Sequence, residues 1–427
     1  MEFPASYDIT RLGSRMFDSS PNGIHRVDAA LARYFLSTRF PPGSGTWFPR
    51  LLTHRVVSHE AALEVLDGID AHFGEADDPD MEPIYTAIKH WVIRDAPGPA
   101  SVPMRVCRRP RIPLGRALRW IIRHGLDLGA TAARSLPKGA RYLNASQFGL
   151  AIPGAFDWLA SRPDVKAVFF IHDMLPFETP EYFLAKEFAR HQNRMHNLAR
   201  HGAGAIVSTE IVKAALQAHL VRLGRRDLPI LTAPPPVAPI FMGESPADEE
   251  LSARPFFVQC GTIEPRKNHL TILHVWRELV ARHGRCAPKL LLVGARGWEN
   301  ENILDLLDRS AALRGHILEV SVLPTPVLRR LLGSARALLM PSFAEGYGLP
   351  LAEANAAGVR VIASDIPVFR EIAEGSFVSL SPIDGIGWLR AIEDFSGEFW
   401  LRRPSETPPL DKSDSFFEKI EAFINSL

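Results

Sequence analysis

The chain has 427 residues, of which 46% are hydrophobic and 23% are charged, a composition that allows buried cores and excludes global disorder. The 49 Lys and Arg residues nearly balance the 48 Asp and Glu residues. The resulting net charge of +1 argues against a dedicated nucleic-acid binder, which carries a basic excess. At about 150 residues per domain, the length is most consistent with two large domains.

Signals for export or membrane insertion are missing from the sequence pattern. The first residues, MEFPASYDITRLGSR, lack the basic stretch and apolar run of a secretory signal, and no run of about 18 apolar residues occurs. The three cysteines, Cys107, Cys260 and Cys286, have neither disulfide-framework nor zinc-ligand spacing. We therefore expect a cytoplasmic protein, or one at the inner face of the cytoplasmic membrane.

Short apolar runs alternate with longer amphipathic stretches, a pattern typical of parallel sheets with crossover helices. Apolar residues recur at three- and four-residue spacing over 270–283 and 303–313, which predicts helices there. The apolar runs are predicted to be buried strands at 168–171, 205–207, 229–232, 256–259, 290–293 and 337–340. Each half of the chain is therefore predicted to be a doubly wound α/β domain.

A proline-rich stretch at 233–239 marks the predicted boundary between the two domains. Proline neither extends a central strand nor fits the interior of a helix, so this stretch is predicted to be a stiff, extended connector. The predicted domains are residues 1–235 and 236–405. A second proline-containing stretch, 403–409, precedes a last predicted helix over 413–427.

One segment, 104–141, is strongly basic, with nine Arg and one Lys against the single acid Asp127. Apolar residues, among them Trp120, are interleaved with the arginines. One interpretation is a basic amphipathic helix that lies on anionic lipid. The other is an ordinary surface helix and loop with structural arginines.

The most informative segment is 341–354, PSFAEGYGLPLAEA, which follows a predicted strand and enters a helix. Gly346 and Gly348 allow the backbone to approach a ligand closely, and the amides of a helix N-terminus attract phosphate. Glu345 lies in the turn and Glu353 lies further along the helix, so both carboxylates can accept hydrogen bonds from sugar hydroxyls. The same spacing also fits glutamates that only cap or solvate the helix.

A second segment, 260–269, repeats this arrangement with the sequence CGTIEPRKNH. A strand ends at a glycine, and a Pro-Arg-Lys-Asn turn opens a helix. Arg266 and Lys267 suit a diphosphate, since the Arg fork makes paired hydrogen bonds and Lys acts as a point charge. A basic pair before a helix is more often solvated surface. Together with the Glu345 turn, however, it predicts a ligand site at the carboxyl ends of the strands.

These segments together resemble the nucleotide-sugar glycosyltransferases of the large retaining family 4, which have the GT-B fold. Glu345 and Glu353 match the E-x7-E motif of that family. The resemblance covers almost the whole chain and includes bacterial exopolysaccharide-type features at 7–12, 21–27, 171–176, 294–300 and 364–371. It implies two Rossmann-like domains that face a central cleft, with residues 406–427 crossing back to the N-terminal domain.

The resemblance also implies roles for the matched residues. Glu345 would face the donor sugar, Glu353 would hold the ribose, and Arg266 and Lys267 would neutralise the diphosphate. The implied donor-binding set is Gly261, Thr262, Arg266, Lys267, Leu323, Glu345, Gly346, Tyr347, Gly348, Leu349 and Glu353. On the other side of the cleft, His172 and Asp173 would orient and polarise the reacting groups. Asn22, Gly23 and Arg26 would form the acceptor-side loop.

Two positions depart from the family pattern. Thr262 stands where many members carry Arg, which leaves the diphosphate to Arg266 and Lys267. Leu323 lies in the base-binding loop where a glycine is frequent, so the motif does not identify the nucleobase. On spacing alone, His172 also fits a core histidine followed by a capping aspartate.

The resemblance implies a retaining hexosyltransferase that needs no metal and no cofactor beyond its nucleotide-sugar co-substrate. Asp78 and Asp80 spell a D-x-D sequence, but no strand precedes them, so they are predicted to lie in a solvated loop. The expected acceptor is a glycan or lipid-linked glycan in exopolysaccharide biosynthesis, and mannose from a guanosine donor is one candidate for the transferred sugar. The alternatives are a sugar-nucleotide epimerase, a phosphorylase, and a non-catalytic subunit of a glycan-assembly complex.

Overall fold

The computed structural model describes residues 3–15, 23–37, 44–47, 53–73, 78–94, 131–243, 245, 247–321, 323–373, 376–397 and 413–427. They form two α/β domains, each built around a mostly parallel sheet with helices on both faces. This architecture confirms the prediction of two doubly wound domains.

The N-terminal sheet has seven strands in the order β3-β2-β1-β4-β5-β6-β7, and only the pairing of β2 with β3 is antiparallel. Its inner strand β5 has the sequence KAVFFI, and the apolar run after the lysine is of the kind that is buried on both faces of a sheet. The strands are β1 (Ala5–Asp8), β2 (Ser44–Trp47), β3 (Arg55–Val57), β4 (Arg141–Asn144), β5 (Lys166–Ile171), β6 (Gly202–Val207) and β7 (Ile230–Thr232).

The C-terminal sheet has six strands in the order β10-β9-β8-β11-β12-β13, all parallel. Successive residues of β8 face opposite sides, so that Phe256 and Phe257 belong to the two separate hydrophobic cores that cover this sheet. The strands are β8 (Phe256–Cys260), β9 (Lys289–Val293), β10 (Ile317–Val320), β11 (Leu338–Met340), β12 (Val361–Ser364) and β13 (Val378–Leu380).

Helices connect the strands and cover the sheets. In the first half of the chain they are α1 (Thr10–Arg15), α2 (Gly23–Phe35), α3 (His59–Phe73), α4 (Pro83–Ile93), α5 (Ala132–Ser135), α6 (Leu175–Glu178), α7 (Ala185–His201) and α8 (Glu210–Arg222). In the second half they are α9 (Glu249–Ser252), α10 (His269–His283), α11 (Glu301–Arg309), α12 (Thr325–Ser334), α13 (Leu349–Ala356), α14 (Pro367–Ala373), α15 (Gly385–Ser396) and α16 (Ser413–Asn425).

The structure confirms the six predicted strands to within two residues at each end, except that β6 begins three residues earlier than predicted, at Gly202. Helix α11 differs from the prediction of 303–313, because it begins at Glu301 and ends at Arg309. Ser310 takes an extended backbone conformation with ψ of 113°, which stops the helix before the apolar spacing ends. The proline-rich connector continues from β7 into a short 3₁₀ turn, Pro239–Phe241.

Each domain packs against one helix from the other half of the sequence. Helix α16 packs Phe416, Ile420 and Ile424 into the core of the N-terminal sheet. It lies so close to β6 that a Cβ on Gly204 would come within 2.9 Å of the Phe423 ring.

Helix α4 makes the opposite exchange and packs against the C-terminal domain, which no sequence signal had indicated. Its residues Ile84, Ile88 and Val92 join that core. Lys89 Nζ lies 2.7 Å from Asp248 Oδ2 at the edge of the contact. The two domains are therefore tied together by two crossing helices as well as by the connector. In the part of the chain that the structure describes, no helix has the length and apolar character needed to cross a bilayer.

The docking of α16 predicts a large stability effect at one buried position. Replacing Ile420, which is fully buried, by Ala should lower the free energy of unfolding by about 2–5 kcal/mol, because the cavity left behind cannot close completely. Urea denaturation followed by circular dichroism measures this change. The exposed neighbour Glu418 on the same helix provides the control, and Glu418→Ala should change stability by less than about 0.5 kcal/mol. Equal effects of the two substitutions would contradict the docking.

Candidate donor site at the cleft

The predicted ligand site lies where the strand order of the C-terminal sheet reverses. Strands β8 and β11 are neighbours in the sheet although they are far apart in sequence. The loops that follow them begin at Gly261 and Pro341 and carry the two segments that the sequence had singled out. In open α/β sheets the crevice at such a reversal is the usual ligand site.

The carboxylate of Glu345 is the centre of this site. It is 7% exposed and interacts with two cations. Lys267 Nζ lies 2.5 Å from Oε1, and Arg266 Nη1 lies 2.6 Å from Oε2. The Ser342 hydroxyl also donates to Oε1 at 2.7 Å. Charge-assisted hydrogen bonds of this kind are strong, so they fix the orientation of the carboxylate.

These contacts set the protonation of the site. Burial raises the pKa of Glu345, but Arg266 and Lys267 outweigh it and bring the pKa down to about 2. Arg266 has a second anionic partner, since its Nη2 lies 2.6 Å from Glu264 Oε1. Burial alone would lower the pKa of Arg266, but the carboxylates of Glu345 and Glu264 outweigh burial and raise this pKa above its usual value. Glu345 and Arg266 therefore both stay charged at neutral pH.

The backbone around the cations explains their placement. Gly261 has φ of +139°, and the Lys267 side chain lies directly over it, so that a Cβ there would come within 3.1 Å of Lys267 Cε. Asn268 has φ of 54°, a left-handed conformation that Asn tolerates, and it begins helix α10. Its side-chain amide donates to the carbonyl of Pro341 at 3.0 Å, which joins the loops after β8 and β11.

The glycine turn of the Glu345 segment is one of the points where the two domains touch. A Cβ on Gly346 would lie 2.6 Å from the carbonyl oxygen of His172 and 2.8 Å from Asp173 Cβ. Ser208 Oγ from the N-terminal domain donates to the Gly346 carbonyl at 3.2 Å. Only glycine fits at this contact, which brings His172 and Asp173 next to the Glu345 turn.

The rest of the turn leads into helix α13. Gly348, with φ of 95°, caps the helix, and a Cβ there would come within 2.6 Å of the Phe369 ring. Leu349 is the first residue of the helix, whose N-terminus therefore adjoins the Glu345 turn. The Tyr347 hydroxyl donates to the carbonyl of Pro235 in the connector at 3.4 Å.

His172 is held at the end of β5 in one tautomer. Its Nε2 lies 2.7 Å from the carbonyl oxygen of Ala145, which can only accept, so Nε2 carries the proton and Nδ1 has the free lone pair. The ring stacks on Phe170. Burial lowers the pKa of His172 to about 4, so the ring is neutral at pH 7. The Asp173 carboxylate, one residue before the N-cap Met174, accepts from the Leu175 amide at the start of α6 at 3.2 Å.

The second motif glutamate, Glu353, pairs with a residue from the other domain. Arg26 Nη1 lies 2.5 Å from Glu353 Oε1. Burial raises the pKa of Glu353, and the Arg26 cation opposes this effect. Arg26, predicted to lie in the acceptor-side loop, thus contacts Glu353, the residue that is predicted to hold the ribose. Gly23 is the first residue of α2, and Asn22 lies outside the described residues.

The remaining predicted positions are less directly involved. Thr262 is half-buried in the loop after Gly261. Leu323 packs against the hydrophobic core of the C-terminal domain. Asp78 caps a 3₁₀ turn by accepting from the Asp80 amide at 3.0 Å, as expected for a loop pair. Among the residues that the structure describes, no three His, Cys, Asp or Glu side chains are grouped as metal ligands.

The basic segment is described only from residue 131 onward, and 104–130 lie outside the described residues. Its last arginine, Arg141, corrects the lipid-surface interpretation at this position. Arg141 is buried at the start of β4, lies over the Phe3 ring and donates through Nε to the Ile424 carbonyl at 3.2 Å. It therefore fastens α16 to the N-terminal sheet.

Sequence reasoning missed several supporting residues. Ser342 and Glu264 lie inside the two segments that the sequence singled out, but only their contacts reveal their roles. Ser342 donates to Glu345, and Glu264 accepts from Arg266. In the N-terminal domain, Asp8 is fully buried and accepts from the Tyr142 hydroxyl and from the Thr10 amide. Burial raises the pKa of Asp8 to about 6, despite these hydrogen bonds.

Comparison with solved structures shows which proteins share this fold. The whole chain is similar in fold to Anabaena Alr3699/HepE, solved in complex with UDP and glucose, with a TM-score of 0.62 at 12% identity over 100% of both chains. Sucrose-phosphate synthase from Thermosynechococcus elongatus gives a TM-score of 0.57 at 14% identity over 100% of this chain and 97% of that one. The predicted GT-B fold is therefore confirmed.

Residues 244–377, within the C-terminal domain, match the family model of Glycosyl transferases group 1. Serotype-specific mannosyltransferase WbdA of Escherichia coli is 29% identical over 252 residues, 54% of this chain and 29% of WbdA. O-antigen chain mannosyltransferase B of Escherichia coli is 28% identical over 227 residues, 51% of this chain and 58% of that protein. The alignments thus span less than two thirds of these relatives. The resemblance to family 4 is confirmed.

The low pKa of Glu345 predicts a specific pH dependence. The pKa of Glu345 is lower in the folded protein than the usual value of about 4.3. The ion pairs of Glu345 therefore stabilise the fold fully above about pH 4.3, and this stabilisation is lost as the pH falls toward 2. Glu345→Gln should melt below the wild type at pH 7, and the gap in Tm should narrow between pH 5 and pH 3. Circular dichroism melts at intervals of half a pH unit measure the gap. Glu418→Gln, at an exposed position, is the control, and a gap independent of pH would contradict the ion-pair geometry.

Proposed function

We propose that this chain is a retaining glycosyltransferase that moves mannose from a nucleotide diphosphate sugar to a glycan or lipid-linked glycan in surface polysaccharide biosynthesis. The observation that carries the proposal is the ionised Glu345, held by Arg266 and Lys267 at the strand reversal of a group 1 glycosyltransferase domain. This cluster offers cations for a diphosphate and a carboxylate for sugar hydroxyls within one crevice.

The main barrier to sugar transfer is departure of the diphosphate from an oxocarbenium-like centre. Arg266, Lys267 and the nearby N-terminus of α13 supply positive charge where negative charge develops on the leaving group. They do the work that a metal ion performs in other transferases, so the reaction proposed here is independent of metal.

The proposed reaction breaks the bond between the anomeric carbon and the diphosphate oxygen, and forms a bond from that carbon to the acceptor oxygen on the same face. The acceptor proton passes to the departing phosphate oxygen. His172, neutral and with Nδ1 unprotonated, then accepts a hydrogen bond from a sugar or acceptor hydroxyl and orients it. Gly346, at the domain contact, keeps this group next to the Glu345 turn.

The choice of sugar rests on the relatives. WbdA and O-antigen chain mannosyltransferase B are named as mannosyltransferases, and both are bacterial proteins. The HepE structures hold UDP and glucose, at a sequence identity that carries the fold alone. We therefore propose mannose as the transferred sugar and a guanosine diphosphate as the leaving group. The acceptor would be reached at the cytoplasmic face of the membrane.

The proposal predicts selective nucleotide binding at the C-terminal site. Calorimetric titration with GDP, UDP, ADP and dTDP should show one preferred nucleotide, GDP, and Lys267→Ala should weaken its binding at least tenfold. A charged hydrogen bond to phosphate contributes about 1.5–3 kcal/mol, which accounts for this factor. Lys186→Ala, at an exposed lysine on α7, is the matched control and should leave affinity unchanged.

Binding of no nucleotide by the folded wild type, with and without acceptor glycans, would contradict the proposal and favour the non-catalytic subunit. Preference for UDP would be consistent with a glycosyltransferase but would contradict the proposed guanosine diphosphate donor. An epimerase would convert the donor sugar without any acceptor, so incubation with GDP-mannose alone separates that alternative.

The stereochemistry provides a second prediction. Transfer from α-linked GDP-mannose to an acceptor mannoside should give an α-linked product, since the bond that breaks and the bond that forms lie on the same face of the sugar. Proton–carbon coupling at the anomeric position in NMR measures the configuration of the first product formed. The same reaction in excess EDTA should proceed at an unchanged rate. A β-linked product would refute retention, and loss of activity that Mg²⁺ restores would refute metal independence.

A further inference from the structure

Arg26 is a cation of the N-terminal domain that reaches the donor side of the cleft. It lies on α2, and its Nη1 is 2.5 Å from Oε1 of Glu353 on α13, 327 residues further along the chain. The Arg26 side chain is 28% exposed and the Glu353 side chain only 5%. The carboxylate is therefore the fixed partner of this pair, and the guanidinium is the partner open to the cleft.

Helix α13 places Arg26 near the phosphate-side cations. Its partner Glu353 lies in the second turn of that helix, which begins at Leu349 directly after the Glu345 turn, and Lys267 Nζ lies 2.5 Å from Glu345 Oε1. In keeping with this placement, burial and Glu353 raise the pKa of the Cys260 thiol to about 12 against the opposing effect of Arg26 and Lys267. Arg26 thus borders the crevice that holds Lys267 and Glu345.

The charge balance of that crevice leaves a role for Arg26. Arg266 and Lys267 are already paired with Glu264 and Glu345, and their charges cancel. A diphosphate that enters here adds further negative charge. Arg26 is a neighbouring cation whose own partner, Glu353, can be satisfied by another ligand, because ribose hydroxyls donate hydrogen bonds to a carboxylate.

We propose that Arg26 binds the donor diphosphate after the ribose displaces it from Glu353, an inference that rests on the proposed function. A buried carboxylate needs hydrogen-bond donors, and the ribose hydroxyls replace the guanidinium at Glu353 Oε1. The released Arg26 fork is suited to paired hydrogen bonds with phosphate oxygens. Recognition of the ribose and of the diphosphate is then coupled through one side chain, and only a ligand with both parts gains the third cation.

The test compares ligands with and without the diphosphate on Arg26→Gln. The nucleoside diphosphate that the wild type binds best is titrated calorimetrically, and its parent nucleoside is titrated by competition against it. Arg26→Gln should weaken diphosphate binding at least tenfold and leave the nucleoside affinity unchanged or higher. Arg26→Lys, which keeps the charge, should recover part of the loss. Arg226→Gln, at an exposed arginine of the same domain, should change neither affinity.

The outcomes separate this inference from the proposed function. Equal weakening of both ligands by Arg26→Gln, in a variant that melts like the wild type, would mean that Arg26 only bridges the domains and would overturn the inference alone. Unchanged binding of both ligands would overturn it as well. A wild type that binds none of the nucleotides would overturn the proposed function, and this inference with it.

Discussion

The buried carboxylate of Glu345 imposes the main constraint on the C-terminal half of the chain. A carboxylate that is removed from water is stable only with compensating charge and hydrogen bonds, and Glu345 receives these from Arg266, Lys267 and Ser342. These partners come from the two loops that follow β8 and β11, so the strand reversal has to bring both loops together. Asn268 maintains that contact by donating to the Pro341 carbonyl.

The domain interface depends on the same turn. Gly346 contacts the end of β5 with no space for a side chain, and the neighbouring contacts are also specific. Both carboxylate oxygens of Glu371 on α14 accept from the first amides of α8, Glu210 at 2.7 Å and Ile211 at 3.2 Å. A carboxylate at a helix N-terminus is electrostatically favourable, so α8 is capped across the interface. The candidate site residues of the two domains are thereby held in a defined position relative to one another.

The sequence predicted six of the thirteen strands that the structure describes, together with the motif-bearing loops, because these elements leave local signals. A buried parallel strand such as β5 is a continuous apolar run, and glycine with charged residues marks the loops after β8 and β11. The docking of α4 leaves no such signal, since Ile84 and Ile88 need an apolar surface but do not specify which domain supplies it. Glu264 was missed for a similar reason: its role is defined by the distance to Arg266, which spacing along the chain does not give.

Under the proposed function, the ion pairs of this cluster also explain why a site for an anion contains carboxylates. Unpaired, Arg266 and Lys267 would attract any phosphate strongly, and their mutual repulsion would disorder them. Pairing with Glu264 and Glu345 fixes both cations at a cost in affinity, because an incoming diphosphate has to compete with existing ion pairs. A ligand that carries hydroxyls as well as phosphates recovers that cost, since the hydroxyls satisfy the carboxylates that the phosphates displace. If the proposed function holds, the charge arrangement favours a complete nucleotide-sugar over inorganic phosphate, and specificity follows from the pairing itself.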